Sequence, residues 1–515
     1  MRRINLALLN GKVITFDEED SHVEAVAISG NEIFIVGTNN EVKRMISSST
    51  RVIDLEGRVA LPGFIDAHTH FINMGLNFDR VDLRGTKSLH EALENIRNRV
   101  SIAPKGEIIV GMNWDESKWS EKRYISRNDL DIISPDHPVI LIRIDGHMLS
   151  ANTQFLELVG MPSTKKGVET DGSGESTGVF KEEAADYLRS FIPRDSDALK
   201  NALEKATEYA HKHGVTSIQD TVSSGNISTY FSAFREGKLR IRVYLNFGEK
   251  LLEPVLSFGL STGFGNEKLR IGALKIYSDG SIGSRTAALN SEFLDDPGNK
   301  GMLMYEQDKL EEIFALAHRS GIQLAIHAIG DRAIESTLEA VERILKAFPR
   351  EDHRHRIEHM ELAPDEAIQK ATELQMIASM QPNFIGEWGL PGEMYERRLG
   401  KFWFEQNSAF RKILDNGCLI AFGSDCMPFS PLYGIHWAVN APMPSQRISV
   451  HEAIRCYTKD AAYASFEEDI KGSIERGKLA DIIVLSEDPY ENPERIMEIK
   501  VCLTIQDGRI VYQDL

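Results

Sequence analysis

A single unit recurs along this chain and restricts its fold more than any other feature: an amphipathic helix, a glycine, a continuous apolar strand and a polar residue. In DALKNALEKATEYAHKHGVTSIQD, Leu199, Leu203, Ala206 and Ala210 share one helix face, and Gly214 sits where the helix should stop. DKLEEIFALAHRSGIQLAIHAIGD repeats the pattern with Leu310, Ile313, Phe314 and Ala317, stopped by Gly321, and SAFRKILDNGCLIAFGSD repeats it with Gly417. Strands that are apolar on both faces need cover on both faces, which is the situation of a parallel sheet beneath helices. Enough copies are present to predict an α/β fold, a closed (β/α)8 TIM barrel. Its strands are GFIDAHTH, VTSIQD, IRVYLNF, IGALKIY, QLAIHAI, HRIEHM, MIASMQP and CLIAFGSD.

Two further strand-like runs, EIIVGMNWD and PVILIRIDGH, fall between the first and second barrel strands, where one βα unit needs far fewer residues. They predict an insertion after barrel strand one, roughly residues 75–200, packed over the barrel mouth. Its segment STKKGVETDGSGEST reads either as a flexible lid or as a plain surface loop. Both ends of the chain carry short strands with Asn-Gly or Asp-Gly turns, each set too small to stand alone. Residues 1–58 and 471–515 are therefore expected to pair into one composite β-sandwich, with the barrel over 59–470.

A formal net charge of −18 over 515 residues argues against nucleic acid or an anionic membrane as partner. The four cysteines have no CxxC spacing, and no apolar run approaches a membrane span, so a soluble cytoplasmic protein acting on a small molecule is expected. A homo-oligomer is compatible with these numbers.

Residues i and i+2 of a strand point the same way, so His68 and His70 in LPGFIDAHTH project together at the barrel's C-terminal mouth, where they suit a metal ion. Alone, such a pair is weak evidence. However, His327, His359 and Asp425 stand at the same end of strands five, six and eight. Lys275 lies inside strand four, where an unpaired ammonium is costly to bury. It is either paired with an acid such as Asp279 or neutral, and a neutral amine can take up carbon dioxide to form a carbamate that bridges two metals. His353 and His355 lie at the barrel's opposite, stabilising end and read as solvated or structural residues, not ligands. His211, His213 and His318 lie at helix ends and read as surface or capping residues.

LPGFIDAHTH, the strand lysine, the strand-terminal histidines, GSD and GSIERGKLADIIVL together resemble the amidohydrolase superfamily over essentially the whole chain. DGHMLSAN, DGSGESTGVFKEEA, LKIYSDGSIGSRTAAL and HAIGDRAI resemble its branch containing N-substituted formamide deformylases. The resemblance implies one or two divalent ions, zinc first among them. His68 and His70 would hold the more buried ion, His327 and His359 the second, and carboxylated Lys275 would bridge them. Asp425 would bind metal and shuttle protons while a metal-bridging hydroxide attacks an amide, probably N-formyl or N-acyl. His147 would either stabilise the oxyanion or merely hold the insertion together. Trp114 would line the pocket or fill core, and Asp279 and Arg285 would orient the lysine strand or bind substrate. A deaminase or cyclic-amide hydrolase, or a non-catalytic metal-binding barrel, are the alternatives.

Overall fold

The computed structural model describes residues 3–78, 80–162, 166–192, 196–222 and 224–515. Its central sheet has eight strands: β1 (Phe64–Thr69), β2 (Val215–Val222), β3 (Arg242–Gly248), β4 (Leu269–Tyr277), β5 (Leu324–Ala328), β6 (Arg356–His359), β7 (Ile377–Met380) and β8 (Leu419–Phe422). Each pairs in parallel with the next. β8 returns beside β1, where the Asp425 N–H donates to the His68 carbonyl oxygen at 2.8 Å. The predicted TIM barrel is present, and each of the eight sequence runs supplies one strand.

The helices bury the faces that their periodicity marks. Ser196–Lys212 buries Leu199, Leu203, Ala206 and Ala210, and Gln307–Arg319 buries Leu310, Ile313, Phe314 and Ala317. Gly214 and Gly321 end these helices at φ +76 and +75°, a left-handed turn that side-chain-bearing residues resist.

Two further sheets form the sandwich. One holds Leu6–Leu9, Ala25–Ser29, Glu32–Gly37 and Arg51–Asp54. In the other, Val59–Pro62 pairs with Lys12–Ile14 on one side and with the C-terminal Ile482–Leu485 on the other. Leu8, Val26, Ile482 and Leu503 are among the residues packed between them. Only Gly63 separates Val59–Pro62 from β1, so the sandwich strand leads directly into the barrel.

The inserted sheet runs from Val81 to Lys181, between β1 and β2, in the spatial order Val168–Thr170, Ser176–Lys181, Met148–Ala151, Val139–Arg143, Ile109–Trp114 and Val81–Asp82. Both strand-like runs of the sequence lie in it. Trp114 is fully buried, donates its indole N–H to the Leu141 carbonyl at 3.1 Å and packs on Trp119, so it fills core and does not line the site. Part of the expected lid is an antiparallel hairpin, Val168–Thr170 against Ser176–Lys181. Ser163, Thr164 and Lys165 of that segment lie outside the described residues.

Of the helix-end histidines, His213 caps its helix, with Nδ1 2.8 Å from the Tyr209 carbonyl oxygen, and His211 and His318 differ from expectation. His211 is buried, with Nε2 2.8 Å from the Gln506 amide oxygen, and His318 is buried with Nδ1 2.8 Å from His355 Nε2. Each helix end meets chain from far away in sequence, which periodicity cannot register. His353 and His355 are buried and hydrogen-bonded at the barrel's entry end, as the structural reading requires.

Candidate metal centre

At the opposite mouth, one ligand atom each from His68, His359 and Asp425 lies within 4.8 Å of the others. The His327 ring centroid stands 4.5 Å from that of His359, and His68 stands 4.9 Å from His359. His70 sits at the rim, its side chain 31% exposed and its Nε2 3.4 Å from Asp425 Oδ1; His68 Nε2 is 3.7 Å from the same oxygen. Lys275 lies over the Tyr277 ring at 4.8 Å, and its charge acts on all four histidines. The six sequence-predicted ligands thus converge.

Strand geometry explains most of this convergence, and backbone conformation explains the rest. His68 and His70 share a β1 face with Asp66, whose carboxylate accepts the Ser424 N–H at 2.9 Å and so ties β1 to the end of β8. His359 follows Glu358 directly, and strict alternation would turn it away from the barrel interior. It instead adopts φ +74°, and Asp425 adopts φ +50°. Left-handed backbone at residues other than glycine costs about 1–3 kcal/mol each and persists where surrounding structure enforces it.

Four atoms in this cluster are buried without a hydrogen-bond partner among the described residues: His68 Nε2, Lys275 Nζ, His327 Nδ1 and Asp425 Oδ1. Buried polar atoms are nearly always bonded, and His68 Nε2, His327 Nδ1 and Asp425 Oδ1 orphaned in one place fit a cation that would be their common partner. The opposite ring nitrogens are occupied. His68 Nδ1 contacts the Glu358 carboxylate, His359 Nδ1 lies 2.7 Å from the Gln381 amide oxygen, and His327 Nε2 lies 2.9 Å from the Gly280 carbonyl oxygen. Such bonds set the tautomer and leave a lone pair for a metal.

Charge states agree. Burial, reinforced by Lys275, pushes His68 down to about 4, and burial holds His70, His327 and His359 well below the usual imidazole range. All four are therefore neutral, as ligation requires. Burial also lowers Lys275 to about 8 and raises Asp425 to about 7. Asp279 is no partner for Lys275. Its carboxylate accepts the backbone N–H groups of Ala288, Ile329 and Gly330 at 2.9, 3.1 and 2.9 Å.

A family model for the amidohydrolase family matches residues 51–512. The chain belongs to the amidohydrolase family. This amidohydrolase is 32% identical to Protein LONG AFTER FAR-RED 3 of Arabidopsis thaliana over 99% of its own length and 91% of that protein's. It is 30% identical to the N-substituted formamide deformylase of Arthrobacter pascens, over 99% and 98%. A metal-dependent hydrolase from Pyrococcus furiosus superposes with TM-score 0.76 at 30% identity, over 94% and 99% of the two chains. The family makes the protein a metal-dependent hydrolase acting on carbon–nitrogen bonds of small molecules. Among the described residues, no helix is long and apolar enough to cross a membrane.

Arg143, Asp145 and His147 of the amidohydrolase's insertion line the cavity beside the cluster, together with His327, His359 and Asp425. Fully buried Arg143 bonds Glu116 at 2.9 Å and Asp145 at 2.8 Å, and Asp145 accepts from Ser281 Oγ at 2.7 Å in the loop after β4. His147 Nδ1 lies 2.9 Å from Glu182, whose other oxygen accepts from Thr286 Oγ1 at 2.6 Å. Burial opposes charge on His147, but Glu182, Asp145 and Asp425 override it and raise the imidazole to about 9. Arg285 does not face the cluster; it pairs with Asp295 at 2.7 Å and bonds the Tyr124 hydroxyl.

Sequence reasoning did not name Glu358, Gln381, Glu182 or Arg143. Glu358 had one available signal, because it alternates with Arg356 inside an otherwise buried strand. The other three carry no local pattern.

Proposed function

We propose that this amidohydrolase removes an N-formyl or N-acyl group from a small amine by hydrolysing the amide bond. The observation that carries the reading is the unbonded, buried Asp425 Oδ1 set among unbonded histidine and lysine nitrogens. The formamide deformylase named among the relatives supports the choice of amide. The residues to hold one or two ions, zinc first among them, are His68, His70, His327, His359, Asp425 and Lys275 as its carbamate. The carbamate forms when the neutral amine bonds to carbon dioxide and releases one proton, and burial favours that neutral form.

Divalent ions bound here would supply Lewis acidity, lowering the pKa of water and polarising a carbonyl oxygen. Asp425 accepts a proton from the water that adds to the carbonyl carbon and delivers it to the leaving nitrogen. The C–N bond breaks, giving a free amine and a carboxylate. His147, held at Nδ1 by Glu182 and lining the cavity, donates its remaining N–H to the developing oxyanion. The buried roof of Arg143 with its acids shields these steps from bulk water.

The test is a panel of N-formyl and N-acyl amines, esters and lactams offered to enzyme loaded with zinc, manganese or cobalt. Hydrolysis of the N-formyl or N-acyl members is expected. Turnover of none of them overturns the reading.

A further inference from the structure

We propose that Glu361, together with the faces of Phe384, Trp388 and Tyr395, forms a subsite for an ammonium group on the part of the substrate remote from the bond that is cut. The proposal rests on the cavity being the substrate site, and it adds the chemical class of what fills this part of it.

Glu361 lies two residues beyond His359, lines the same cavity, and is only 3% exposed. Its carboxyl group accepts one hydrogen bond, from the Tyr395 hydroxyl. The other lining carboxylates have basic neighbours, Arg143 at Asp145 and the histidines at Asp425. Among the described residues, no lysine, arginine or histidine forms an ion pair with Glu361. A buried carboxylate is costly without a cation, and the ammonium of a ligand would supply one.

The walls beside it suit an organic cation. Phe384 and Trp388 meet edge to face with centroids 5.1 Å apart, and Trp388 stacks toward Tyr395 at 6.5 Å. The insertion holds the indole in place, because Trp388 Nε1 donates to Asp115 at 2.9 Å. An ammonium near several ring faces gains cation–π attraction, strongest when desolvated. Arg143 does not oppose it. The guanidiniums of Arg143 and Arg398 face three carboxylates, Asp115, Glu116 and Asp145, so the roof carries no surplus of positive charge. Met394 and Met427 complete an apolar lining.

Two readouts test this. In the first, metal-loaded enzyme is melted with benzylammonium or with benzyl alcohol, its neutral counterpart. The ammonium should raise the wild-type Tm, the alcohol should not, and Glu361→Gln should abolish the difference. In the second, kcat/KM is compared for the mono-N-formyl derivative of a short diaminoalkane and its hydroxyl isostere. The wild type should prefer the ammonium-bearing substrate by about tenfold, and Glu361→Gln should bring the ratio near one. Equal Tm shifts with both probes, or an undiminished ratio in a folded Glu361→Gln variant, overturns the subsite. Charge-selective binding without cleavage of any amide would instead keep the subsite and overturn the hydrolase reading.

Discussion

The Gln381 amide oxygen lies 2.7 Å from His359 Nδ1, and that contact decides which nitrogen of His359 faces the centre. The Gln381 amide N–H₂ is turned toward the Ser379 carbonyl at 3.3 Å, which leaves its oxygen as the acceptor. His359 therefore carries its proton on Nδ1 and offers Nε2 as a lone pair. Replacing Gln381 with Ala should free the ring to rotate and change tautomer. Metal affinity should fall by about 10–100-fold, the usual effect of removing such a partner. Competition with a chelating dye measures it, and unchanged affinity would refute the role.

Asp425 combines a buried, unbonded oxygen with an ordinary value raised to about 7 by burial. Asp425→Asn keeps the shape and a carbonyl oxygen but cannot take a proton. Hydrolysis of an N-formyl amine should fall by about 10²–10⁴-fold while metal content by elemental analysis stays near that of the wild type.

Lys275 has no hydrogen-bond partner among the described residues for its amine. Protein equilibrated with ¹³C-bicarbonate should show a carbamate carbon resonance that is missing in Lys275→Ala. The same variant should bind less metal. A wild-type spectrum without that resonance, at full metal loading, would remove the bridging role.

Glu182 holds His147 and is itself held by Thr286. Glu182→Ala should lower kcat more than it raises KM, because the bond fixes a donor that acts on charge developed during reaction. A pure KM effect would point instead to a role in binding.

At the far end of the barrel, His318, His355 and His353 form a chain of neutral imidazoles. His353 is pushed down to about 4 by burial, and His318 and His355 are lowered as well. In the unfolded chain they titrate near 6.5. The unfolded state therefore takes up protons that the folded state refuses, and stability is complete above about 6.5 and lost as pH falls toward 4. Urea unfolding of metal-free protein should show this slope. It should flatten in a His353→Gln variant.

What the sequence determined was local or periodic. Helix faces, glycine stops and continuous apolar runs are written in neighbouring residues, so all eight barrel strands and the inserted strands Ile109–Trp114 and Val139–Arg143 could be read from them. The convergence of His68, His70, Lys275, His327, His359 and Asp425 was legible for the same reason, since they stand at or inside strands whose ends a barrel must bring together.

Tertiary structure decided what those groups can do. Which ring nitrogen of His68 or His359 faces inward depends on Glu358 and Gln381, and the orientation of His147 depends on Glu182 and Thr286. His359 turns inward only through a left-handed backbone that no alternation rule predicts. His211 and His318 looked like exposed helix ends until distant chain covered them. The part of the cavity lined by Glu361, Phe384, Trp388 and Tyr395 joins the segment after β6 to the helix after β7, Asn383–Trp388, and to the next helix, Met394–Gln406. Periodicity reports which side of an element is buried. Contacts between residues far apart in sequence decide what it is buried against, and with that the protonation, orientation and chemistry of the site.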